Sequence, residues 1–199
     1  MDCGYEQDAR TSGGNLSIIN KISEICKKNG ASIHLITMPP RDLSLINELK
    51  NLNVKLVFDP EVFDPSLFDL FLPGKSKNYG RDNYFKALQH SASVLGKGRA
   101  YVGLIAGLES LKSLINGIDF FYYTLGVIPA INIFHPDPST ALENFIRPSA
   151  SFIMDVVKKM SEIYADDDIN TPFLPYAGRN AIDSEAYELG KIISPNLVQ

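Results

Sequence analysis

Four short apolar runs, separated by segments of helical periodicity, constrain this chain more than any other feature. They lie at residues 32–38 (SIHLITM), 54–58 (VKLVF), 99–105 (RAYVGLI) and 127–134 (VIPAINIF). Branched and aromatic residues dominate them, as they do in strands. The first run does not alternate cleanly. Ile33, Leu35, Ile36 and Met38 place apolar side chains on both faces. Strands of that kind belong to parallel sheets covered on both sides, as in doubly wound folds and barrels.

The intervening segments read as helices. Leu16, Ile19, Ile22, Ile25 and Cys26 recur at helical spacing, with Asn15 as the N-cap and Asn29-Gly30 as the stop. Asp42 caps a second helix with the stripe Leu43, Leu45, Ile46 and Leu49. A third runs over 82–95 to Gly96, a fourth from Glu109 through 125 to Gly126, and Ser149 caps a fifth over 152–164. The order α-β-α-β-α-β-α-β-α predicts parallel strands in sequential order with right-handed crossovers.

The expected class is therefore α/β: a partial (β/α) TIM-type barrel with about four parallel strands and outer helices. It occupies residues 1–165, and 166–199 form a C-terminal tail with one short helix at 184–193. In such a fragment, strands 32–38 and 127–134 are apolar edges, and apolar edges attract a partner. Residues 59–80 form a long connection with Pro60, Pro65 and Pro73. Phe63, Phe68 and Phe71 argue that it is packed, with one or two helical turns over 65–71.

Charge and cysteine usage narrow the function classes. A net charge of -4 provides no electrostatic footprint for nucleic acid or an anionic membrane. No apolar run approaches the ~20 residues of a membrane span. The polar start MDCGYEQDAR carries no signal-peptide core, so a cytoplasmic location is expected. Cys3 and Cys26 show no metal-ligand spacing, which predicts no metal site in this chain alone.

The residues with chemistry lie where the strands end, the ligand side of α/β folds. Asp59 and Glu61 flank Pro60 just past the second strand, either as a ligand-facing carboxylate pair or as turn and cap residues. His135 opens the loop HPDPST and is an acid–base candidate, alongside Glu61, or a loop histidine bonded to backbone. Gly103 and Gly107 bracket the end of the third strand, where a missing Cβ admits backbone or a flat ligand. Thr11-Ser12-Gly13-Gly14-Asn15 opens a helix and either caps it or holds an anion.

The order FDPEVFDPSLFDLFLPGKSKNYGRDNYFKALQHSASVLGKGRAYVGLIAGLE, followed by INIFHPDPST, resembles the later half of a biotin-synthase-like radical S-adenosylmethionine (SAM) barrel. The likeness covers roughly residues 30–165. A strand-end acidic segment, a PGK loop and a G-x-I-x-G strand near an acid follow one another as in that family. Glu109 stands two residues after the second glycine rather than three.

The resemblance implies that Gly103, Ile105 and Gly107 border the adenine of SAM, with Asn132 and His135 on the same nucleoside. It offers Lys75 or Arg81 as partners for the SAM carboxylate or a substrate anion. The family's C-x-x-x-C-x-x-C motif is missing. A [4Fe-4S] cluster is thus expected only if an N-terminal half is supplied. The chain reads as the C-terminal part of such an enzyme, contributing the adenine and ribose side of the SAM site and part of a small-molecule substrate pocket. Its partner would be the missing half or a second copy. Three alternatives stay open: an inactive remnant, a lyase- or isomerase-type half-barrel using Asp59, Glu61 and His135, and a non-enzymatic interaction module.

Overall fold

The computed structural model describes residues 12–31, 33–166 and 181–193. The elements are α1 (Ser12–Lys28), β1 (Ile33–Ile36), a 3-10 helix (Leu43–Leu49), β2 (Val54–Glu61), α2 (Pro65–Phe71), α3 (Pro73–Asn78), α4 (Arg81–Leu95), β3 (Ala100–Ala106), α5 (Leu111–Asp119), β4 (Ile128–Ile133), α6 (Ala150–Asp166) and α7 (Ala181–Ile193). A π-helical turn, Phe120–Thr124, continues α5. Cys3, Thr11 and Ser32 lie outside the described residues, as does 167–180.

The four strands form one sheet in the order β1-β2-β3-β4, and every pair is parallel. This is the expected sequential order. His34 pairs with Lys55, Val57 with Tyr101, and Ile105 with Asn132. Paired residues share a face and the side-chain period is two. One face therefore carries His34, Lys55, Val57, Asp59, Tyr101, Gly103, Ile105 and Asn132. The other carries Leu56, Phe58, Val102, Leu104 and Ala106, all buried. Tyr84, Ala87, Leu88 and Leu95 of α4 and Leu114 and Ile118 of α5 join the same core.

Local chemistry explains the boundaries. Asp42 accepts from the Ser44 N–H at 3.0 Å and starts the 3-10 helix. Asp64 accepts from the N–H groups of Ser66 and Leu67 at 2.8 and 3.0 Å, with Pro65 at the first position of α2. Ser110 accepts from the Ser113 N–H at 3.2 Å and starts α5. Ser149 does the same for Phe152 at 3.2 Å.

Several expectations are corrected. Glu109 precedes the Ser110 cap and lies outside the helix it was expected to begin. Asn15 lies inside α1, which begins at Ser12, and is not its cap. Strand β2 runs through Asp59 and Pro60 to Glu61. A register shift between Phe58 and Glu61 absorbs the extra residue there, and bulges are where sheets accept proline. The PGK segment is helical, as α3.

The outer edge of β4 is also not bare. Asp183 in the first turn of α7 is fully buried, and both carboxylate oxygens accept from the Ile131 N–H at 3.3 Å. Pro129, two residues earlier on the same side of the strand, has no N–H to satisfy. Helix α7 packs on both α6 and β4. At the opposite ends of the strands, the Arg99 guanidinium donates to the carbonyls of Leu49, Lys50, Leu52, Val54 and Leu95. It ties the 3-10 helix, α4 and β2 together.

Candidate functional site

At the C-terminal end of β2, three charged groups converge. The Lys75 ammonium, on α3, pairs with the Glu61 carboxylate and donates to the Asp59 carbonyl at 2.7 Å. The pair is mostly sheltered, with side-chain exposures of 16% and 26%. Glu61 holds a φ of +66°, a left-handed conformation that a long side chain adopts only under constraint. Beside them the Tyr84 hydroxyl donates to Met38 Sδ at 3.0 Å. Burial raises the Tyr84 phenol well above its ordinary pKa, and the nearby charges of Glu61 and Asp59 add to that. The arrangement brings a carboxylate, an ammonium and a phenol to one strand end. Glu61 and Lys75 present an ion pair at that strand end, while the buried phenol behind them is committed to Met38.

The residues expected to border a nucleoside divide into two groups. Ile105 and Asn132 are register partners near the C-terminal ends of β3 and β4, and both are partly exposed. They present an apolar surface beside an amide, which suits one face and the polar edge of a purine. The glycines are occupied by the chain itself. A Cβ on Gly103 would sit 2.0 Å from Asp59 Oδ1. A Cβ on Gly107, whose φ is +109°, would sit 2.8 Å from Pro148 Cδ. Valine at 107 therefore clashes with the chain before it meets any ligand. His135 is exposed, 3.4 Å from Asp137 and in contact with Arg147.

Arg81 and Glu109 meet at one loop residue. The Arg81 guanidinium donates twice to the Phe63 carbonyl, at 2.6 and 3.1 Å, and covers the Phe63 and Phe85 rings. Burial depresses its pKa, against the opposing pull of Asp82, Asp64 and Glu109. Glu109 is buried and accepts from the N–H groups of Phe63 and Asp64 at 2.8 and 3.1 Å and from Ser113 Oγ at 2.5 Å. The sequence marked Glu109 as a helix start and, through family spacing, as an acid near the strand end. Its use as a backbone clamp carries no short-range signal, because the partners lie about 45 residues away.

Among the described residues, no group of three or more His, Cys, Asp and Glu side chains converges as a metal site requires. None of the described helices is long and apolar enough to cross a membrane. No family model, curated protein or solved structure matches this chain.

Proposed function

We propose that the chain supplies the C-terminal part of a radical-SAM-type (β/α) barrel and binds the nucleoside end of SAM across β3 and β4. The observation that carries this reading is the partly exposed Ile105–Asn132 pair at the C-terminal ends of adjacent parallel strands. Ile105 would pack on the adenine and Asn132 would hydrogen-bond its edge. Gly103 and Gly107 shape the strand end without lending space, since Asp59 and Pro148 fill it. SAM, when bound, supplies a sulfonium centre open to one-electron reduction. The [4Fe-4S] cluster that would reduce it does not fit this chain, because two cysteines cannot provide three thiolates. Cysteines outside these 199 residues would have to hold it.

Calorimetric titration with SAM and with adenosine tests the reading. Binding of both is expected, weakened at least tenfold, or about 1.4 kcal/mol, by Ile105→Asp. Absence of heat with either ligand, or unchanged binding by the variant, rejects it.

The constrained Glu61 supports a second reading, an acid–base site of lyase or isomerase type. Glu61 would take a proton beside a substrate carbonyl, and Lys75 would stabilise the resulting negative charge. Solvent-deuterium exchange into small keto acids, lost in Glu61→Gln, is the expected sign. Exchange that survives in the variant rejects it.

A further inference from the structure

Lys55 stands apart from both sites. It is the second residue of β2, on the sheet face that also carries His34 of β1 and Tyr101 of β3. Its side chain is half-buried. Its ammonium lies 5.7 Å from the centre of the Tyr101 ring and makes no hydrogen bond or ion pair with any described residue. Most lysines avoid such a position by reaching water or a carboxylate. Lys75 and Lys159 show the ordinary solution, each paired with an acid.

We propose that Lys55 is a nucleophilic lysine that forms an imine with the carbonyl group of an aldehyde or ketone ligand. The neutral amine attacks the carbonyl carbon, a nitrogen–carbon bond forms, and the oxygen departs as water with both amine protons. Nothing is oxidised or reduced.

The surroundings favour the neutral amine. Burial lowers the Lys55 pKa, and no carboxylate of the described residues opposes it. His34 faces it from β1 and is itself held down to about 4, mainly by burial and then by Lys55. Tyr101 faces it from β3 and is pushed up to about 12, by burial and then by Asp183 of α7. Neither ring carries a negative charge at neutral pH that would restore the ammonium. The Tyr101 ring gives the cation a modest attraction, worth less than a carboxylate would. Partial withdrawal of a lysine from water is how Schiff-base lysines are activated.

Competitive labelling of the full chain tests this. A trace of formaldehyde, reduced in place by cyanoborohydride, marks each lysine in proportion to its reactivity. The sites are then read by peptide mass spectrometry from pH 6.5 to 9. Lys55 should label several-fold faster than exposed Lys50, Lys86 and Lys112 near pH 7, with the advantage shrinking as pH rises. Equal or slower labelling of Lys55 overturns the proposal. Tyr101→Phe, which keeps the ring, should preserve the advantage. Its loss in a variant with an unchanged circular dichroism spectrum would overturn the account of the site.

Discussion

Phe63 is held at both of its backbone polar groups, by Glu109 at the N–H and by Arg81 at the carbonyl. Its ring packs among Phe85, Phe120 and Phe121, with centroids 5.6–6.1 Å away. Glu109→Gln keeps the shape but removes the charge and one acceptor, so the chain should lose about 1–3 kcal/mol in urea unfolding, and Glu109→Ala more. Equal stability of both variants would show that water replaces the clamp. His34 makes a second residue-scale prediction. Its folded pKa of about 4 lies below the ordinary 6.5, so the unfolded chain takes up the proton first. The neutral ring's full contribution to stability is present above about pH 6.5 and is lost as pH falls toward 4. The full shift corresponds to about 3 kcal/mol, and solvent screening of a half-buried ring reduces this to about 1–2 kcal/mol. His34→Gln should flatten the stability profile between pH 7 and 4, and an unchanged slope would assign the loss to other groups.

Helix α7 belongs to the architecture because one of its side chains bonds the sheet. Without it, β4 has an outward Ile131 N–H and apolar residues on both faces. A chain ending at residue 180 should therefore self-associate in light scattering, while the full chain does not associate through this edge. Truncation that leaves the mass unchanged would show that Pro129 alone blunts the strand. Strand number, order and direction were legible in the sequence because parallel strands buried on both faces are continuous apolar runs. The length of β2 was not, since Pro60 normally ends a strand and only a bulge accommodates it. Helix α3 hid behind Pro73-Gly74, which reads as a turn although proline suits a first helical position. The π-helical turn was equally silent. It lets neighbouring Phe120 and Phe121 both reach Phe63 and Phe85, a tertiary demand that a helical stripe does not encode. Of the candidate site, Ile105 and Asn132 were legible as strand ends. The Glu61–Lys75 pairing was not, because it depends on α3 folding back across 14 residues.

Across the whole molecule, each strand pairs with the strand before it, so successive strands join the sheet in chain order. Such a chain can assemble while it is still being made, each β-α unit docking as it appears. The exception is the bond between Ile131 and Asp183, which spans 52 residues. At about 5–20 residues per second, roughly 3–10 seconds of synthesis separate the arrival of β4 from the arrival of its cover. During that interval the nascent chain exposes a finished sheet with an open side. Chaperone engagement, and the loss of prematurely terminated products to aggregation, should concentrate in this window, so helix α7 governs yield in the cell as much as it governs the fold.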